Sequence, residues 1–173
     1  EIFDLEIDHP DHLKHIKEES KKLQRSTYDT ARNVDAYKKI NPSIGDEIDA
    51  WAFEVEADIL ADLVLKGEKT ATASAYDLYA LEDEPLPQEG TFDVILDSQD
   101  RAVCIIEITK VSVESFHQVS ADHAYKEGEG DKSLAYWRQV HEDCFAEWLR
   151  EAGLTFTPDS KVVLEEFRKV YPL

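Results

Sequence analysis

Lys69 and Thr72 lie three residues apart in the run Gly67-Glu68-Lys69-Thr70-Ala71-Thr72. An ammonium group can hold a carboxylate, stabilise an oxyanion or move a proton, and a threonine hydroxyl both donates and accepts. Gly67 lets the chain turn and lets a ligand approach the backbone closely. Strand alternation would set Lys69 and Thr72 on opposite faces, so they converge only if Lys69 belongs to the turn. Glu107 is the third candidate. Its neighbours in Val103-Cys104-Ile105-Ile106-Glu107-Ile108-Thr109 are apolar except Thr109, and alternation places it on a face with Val103, Ile105 and Val111. A carboxylate on such a face must be paired or neutralised, and Lys69 is its expected partner, within salt-bridge reach. Plainer readings stand beside these: a helix-end lysine, a strand-forming threonine and a structural ion pair.

Other residues could line the same site. Glu127-Gly128-Glu129-Gly130-Asp131 gathers three carboxylates in five residues. It lacks the ligand order of a calcium loop, and no metal or cofactor is expected. Its acidic residues suit a helix N-terminus, and its glycines could turn backbone N–H groups toward a substrate. After it, Leu134, Trp137, His141, Cys144 and Trp148 recur at helical spacing, so His141 falls on an apolar stripe with Arg138 one turn away. Ser74 could help hold an oxyanion, and Trp51, Tyr76, Tyr79 or Trp137 could stack on a base. Glu129, Asp131, Trp137, Arg138 and His141 therefore join Gly67, Ser74 and Tyr76 as expected substrate-binding residues. His117 and His123 show no patterned partner.

The elements that would carry these residues follow from periodicity. A weak amphipathic helix is expected over 11–25 and a second over 29–39, ended by Asn41-Pro42. Residues 54–66 form a helix with the stripe Val55, Ile59, Leu60, Leu63 and Val64, and Gly67 is its C-terminal stop. Residues 69–79 read as a strand, and 83–90 as a loop with two prolines and a glycine. Residues 91–96 and 102–111 make a hairpin, and 120–126 a helical turn. A long helix covers 131–152, with Asp131 as N-cap, and 161–170 is the last strand. The class is α+β with a mostly antiparallel sheet or small barrel. Residues 1–36 are expected as a helical extension and 37–173 as the domain.

The chain has 173 residues and a formal net charge of -19. Such a field repels phosphate backbones and anionic membranes, which argues against a coat for long nucleic acid. No stretch is long and apolar enough to span a membrane, and no basic-then-apolar leader is seen, so a cytoplasmic setting is expected. Two cysteines, Cys104 and Cys144, are too few for a disulfide framework and are expected as core thiols.

Gly67-x-Lys69-x-x-Thr72 resembles the GxKxxT signature of the ASCH family. Leu63-Val64-Leu65-Lys66 before it, and the acidic-glycine run followed by Trp137-Arg138, are similar to one bacterial branch, over roughly residues 37–170. The resemblance implies a PUA-like fold, a small β-barrel flanked by helices. In the family's amidohydrolase branch a lysine, a threonine and a strand glutamate act together on acylated cytidine, and Lys69, Thr72 and Glu107 match those types and that order. Many members carry an arginine two residues after the threonine, where this chain has Ser74. That departure argues against phosphate recognition and against the ribonuclease reading known in the family. The implied partner is a nucleoside or related small molecule, or a short RNA, and the alternative to catalysis is a module that binds RNA or a modified base.

Overall fold

A computed structural model describes residues 30–45 and 48–173. The helix expected over 11–25 lies outside them. Residues 30–40 are helical (α1) and stop short of Pro42, because the residue before a proline is pushed out of the helical region. Val34 and Tyr37 of α1 are buried with Ile44, Val94, Leu96 and Ile105. Residue 36, the expected start of the domain's boundary, falls inside this helix.

Five strands form one mixed sheet, β1 (Asp49–Ala52), β2 (Ala71–Ala75), β3 (Phe92–Leu96), β4 (Ala102–Ser115) and β5 (Lys161–Tyr171). Their order is β1-β3-β4-β5-β2, with β1 parallel to β3 and the other pairs antiparallel. The sheet bends into a half-barrel carrying helices, an α+β, PUA-like architecture. The β3–β4 hairpin turns where expected: the Asp97 carboxylate accepts the backbone N–H groups of Gln99 and Arg101, each at 2.9 Å.

Four further helices pack on the sheet: α2 (Ala57–Leu65), α3 (Tyr76–Leu81), α4 (Ala121–Glu127) and α5 (Leu134–Glu151). Ala61 and Val64 of α2 meet Ile95, Cys104, Ile106, Ile108 and Phe167. The buried stripe is narrower than expected, since Val55 and Ile59 are exposed. The expected strand over 69–79 is also shorter. The ladder with β5 ends at Ala75 and Val162, and the chain turns into α3 at Tyr76. On the opposite face α5 buries Trp137, Phe145 and Leu149 against Phe116, Val162 and Leu164. Its N-cap is Ser133, whose hydroxyl accepts the Tyr136 N–H at 3.1 Å. Asp131, expected in that role, instead accepts the N–H of Ser133 at 2.9 Å and so orients the capping residue.

One core carboxyl is costly to ionise. Glu165 of β5 faces Thr72 across one ladder and Val111 across the other. Burial, with the negative charge of Asp93 added, pushes its pKa up to about 7. The folded chain then keeps a proton that the unfolded glutamate has already lost. Stability falls as pH rises from the ordinary carboxyl range to about 7 and is flat above it. Glu165→Gln should therefore gain on the order of 2 kcal/mol over wild type near pH 8. The gain should vanish near pH 4, and thermal melts at the two values check it.

Candidate active site

The turn ahead of β2 sets the position of the lysine. Gly67 has φ 77° and closes α2. Its N–H bonds the Val64 carbonyl at 3.0 Å, and the Glu68 N–H bonds that of Leu63 at 2.9 Å. This double bond pattern needs a left-handed residue, which glycine supplies without strain. The Lys69 N–H also reaches the Leu63 carbonyl, at 3.1 Å. Lys69 thus belongs to the turn, and the regular strand starts at Ala71.

Its side chain is 1% exposed. Nζ lies 2.9 Å from Glu129 Oε2 and 3.5 Å from Glu127 Oε2, with the Glu127 carbonyl oxygen at 3.4 Å. The Phe53 ring centroid is 5.4 Å away. Glu127 closes α4 and is as buried as the lysine. Its Oε1 meets His123 Nε2 at 2.8 Å, and its Oε2 meets His141 Nε2 at 3.3 Å. His141 Nδ1 faces the Trp137 carbonyl oxygen at 2.8 Å, and its ring stacks on Trp137 with centroids 4.2 Å apart.

Both His141 nitrogens face acceptors, and only the imidazolium can donate to both. Burial lowers its pKa, but the hydrogen bond and charge of Glu127 outweigh this and raise it above the usual value. Burial likewise penalises the Glu127 anion, yet Lys69, then His123 and His141, hold its carboxyl well below the ordinary range. Glu129 moves the other way, raised by burial and by Glu127 against the opposing pull of Lys69. Two cations and two carboxylates thus balance in one desolvated cluster, which burial of charge requires.

Two turns interlock to build it. The Thr70 N–H bonds the Lys126 carbonyl at 2.7 Å. Gly128, with φ 71°, lies so close to Glu68 that a Cβ would collide with its carbonyl oxygen. Lys69, Thr72, Glu127, Glu129, His141 and Cys144 line a cleft of about 100 Å³. It runs beside β2, an edge strand of the sheet.

A family model described as the ASCH domain matches residues 49–171. The chain belongs to the ASCH domain family. The crystal structure of an ASCH domain from Lactobacillus crispatus JV V101 is 36% identical with a TM-score of 0.75, over 84% of this chain and 94% of that one. A protein structure from Enterococcus faecalis V583 is 32% identical with a TM-score of 0.76, over 83% and 89%. Comparison with curated proteins gives no match.

In this ASCH domain the expected Lys69–Glu107 pair does not form. Glu107 instead accepts Arg168 Nε at 2.6 Å, on a half-exposed stretch of β4 and β5. The apolar residues around it serve two cores, Ile105 with α1 and Ile106 and Ile108 with α2. Strand β4 also shifts register between Ile105 and Ile106 and again before Lys110, so a single alternating face does not exist there. Lys69, Thr72, Glu129 and His141 do come together, with Trp137 behind His141. Ser74 bonds Tyr79 at 2.7 Å, Tyr76 lies under Lys161, and Arg138 reaches the His117 carbonyl at 3.0 Å, all away from the cleft. Asp131 stays with Ser133. Gly67 acts through the turn. Glu127 and His123 were the residues to add: they stand at i and i+4 on α4, a spacing visible in the sequence. Cys144, expected in the core, reaches the cleft.

Glu127, Glu129 and His141 also bring three donor atoms within 4.8 Å of one another. The Lys69 ammonium contacts both carboxylates and already supplies the positive charge a metal would bring. The set therefore reads as a lysine–carboxylate centre. Glu127→Ala, which leaves Lys69 with Glu129 alone among its carboxylates and takes the carboxylate away from His123 and His141, should cost about 3–5 kcal/mol of stability. Glu107→Ala, which opens an ion pair with a 68% exposed arginine, should cost less than about 1 kcal/mol. Denaturant unfolding of the two variants checks the order.

Proposed function

We propose that this ASCH domain hydrolyses an amide on a nucleoside or related small molecule, with an N-acylated cytidine as the class to test first. The observation that carries the reading is the buried, charge-balanced cluster of Lys69, Glu127, Glu129 and His141 opening on a cleft that holds Thr72. Such pairs of titratable groups pushed in opposite directions are the usual source of acid and base roles. Glu129, the carboxyl raised in pKa, takes a proton from water as the oxygen attacks the acyl carbon. The Lys69 ammonium faces the developing oxyanion, supplies the proton the amine needs as the C–N bond breaks, and regains one from Glu129 at 2.9 Å. Glu127, held ionised, keeps Lys69 in place. The Thr72 hydroxyl aligns the substrate. Glu127 and Glu129 take the part first expected of Glu107, and the scheme uses no metal or cofactor. The two free thiols suit a reducing, cytoplasmic setting.

A binding role without turnover is the second reading. PUA-like folds commonly recognise RNA or modified bases, and fold alone does not fix function. The half-buried Trp51 and Phe53, stacked edge-to-face at 4.9 Å, lead from β1 to Lys69 and offer aromatic surface to a base. The charge of -19 makes tight binding to generic RNA or duplex unexpected at physiological salt.

A panel of N-acylated nucleosides separates the two. Wild type should release carboxylate, and Lys69→Ala should lose about 10²–10⁴-fold in kcat. Undiminished turnover by a folded Lys69→Ala would remove the lysine from the chemistry. Tight, steeply salt-dependent binding of random RNA without turnover would favour the second reading.

A further inference from the structure

The first cleft does not include His123. That ring borders a second cleft of about 130 Å³ between α4, β4 and β5, which Glu127 does not line. The two clefts share no lining residue among the described residues, and the hydrogen bond of 2.8 Å from His123 Nε2 to Glu127 Oε1 joins one lining to the other. From Glu127 the contacts continue to Lys69 at 3.5 Å and His141 at 3.3 Å. A chain of titratable groups therefore runs from one cleft, beneath the C-terminal end of α4, into the other.

The reaction proposed above can use such a chain, and the inference rests on that reading. Water attacks the acyl carbon, a C–O bond forms and the C–N bond breaks. One water proton goes to the amine nitrogen. The other passes to Glu129 as the carboxylic acid ionises in the cleft, and the exocyclic amine of a nucleobase, uncharged at neutral pH, does not take it up. One proton must leave per turnover. A substrate seated in the first cleft covers Lys69, Glu129 and His141, since all three line it. His123 lines the second cleft instead.

We propose that His123 is a positioning residue and the proton outlet of the centre, fixing Glu127 on one side and opening to solvent through the second cleft on the other. The groups facing it bear on this role. Glu127 and Asp122 come from its own helix, and Trp137 of α5 stands edge-on to the ring with centroids 6.2 Å apart. Lys110 and Glu114 of β4 and Glu166 of β5 are the other charged groups of the cleft wall. Asp122 and Glu166 are both bonded to Lys126. The wall is therefore polar and of mixed sign, suited to water and to proton exchange rather than to an anion.

The test uses His123→Gln, His123→Ala and imidazole, whose ring is small enough for the enlarged second cleft. Glutamine can still donate to Glu127 but cannot carry a proton through. If His123 is the outlet, His123→Gln keeps KM and loses about 10-fold or more in kcat. Imidazole should then restore His123→Ala with a pH profile that follows the added base. A His123→Gln enzyme at the wild-type rate would overturn the outlet and leave only the hydrogen bond. If wild type turns over no acylated nucleoside, the proposed activity fails, and the second cleft is judged by NMR alone. Imidazole added to His123→Ala should shift the Ser112 and Ser120 amides, which border that cleft, and return the His141 titration toward wild type. Shifts confined to the first cleft, or none, would overturn the connection.

Discussion

Everything near the site follows from taking one ammonium group out of water. A lysine 1% exposed is tenable only with its charge matched and its donors engaged. Lys69 meets that demand with two carboxylates and a backbone carbonyl, all from one short stretch, Glu127 to Glu129. Glu127 in turn needs more than the lysine, and the two histidines fill its remaining lone pairs. The requirement passes outward in this way to α5, where His141 is held by the Trp137 carbonyl.

The backbone is shaped to make that meeting possible. Gly67 and Gly128 end their helices in the left-handed region, and the second lies against the turn made by the first. A side chain at Gly128 would separate the two turns and pull Glu127 away from Lys69. Gly130 has a similar constraint, since a Cβ there would enter the Tyr136 ring. The acidic-glycine run is thus a close-packed support for the cluster more than a loop free to wrap a ligand. Because Lys69 and His141 offset Glu127 and Glu129, the cluster stays near neutral inside a chain whose formal charge is -19. Substrate recognition there rests on local geometry, not on the long-range field.

Local signals were readable where one residue type settles the conformation. Gly67 marks the end of α2, and the placement of Lys69 in the turn follows from it. The hairpin around Asp97, the turn at Ser120 and the two strands flanking α5 are also visible as polar or glycine breaks between apolar runs. What local pattern cannot supply is the partner across space. Glu107 looked like the lysine's partner because its strand is apolar on both sides, but that strand is covered by α1 on one face and α2 on the other. The actual partners sit 58 and 60 positions from Lys69, in a run whose acidity suggested a helix start. The sequence contained one overlooked clue, the i, i+4 spacing of His123 and Glu127. The edge position of β2 and its end at Ala75 depend on its ladder with β5 and are invisible locally.

The central claim is that Lys69 is a buried ammonium hydrogen-bonded to Glu129 and Glu127. Nitrogen-15 NMR of the lysine side chains reads this directly. The account predicts one NH₃⁺ group in slow exchange with water at neutral pH, assigned to Lys69, with couplings through the hydrogen bonds to the carboxyl carbons of Glu129 and Glu127. A Lys69 ammonium that exchanges as fast as the surface lysines, or that couples to Glu107, would contradict it.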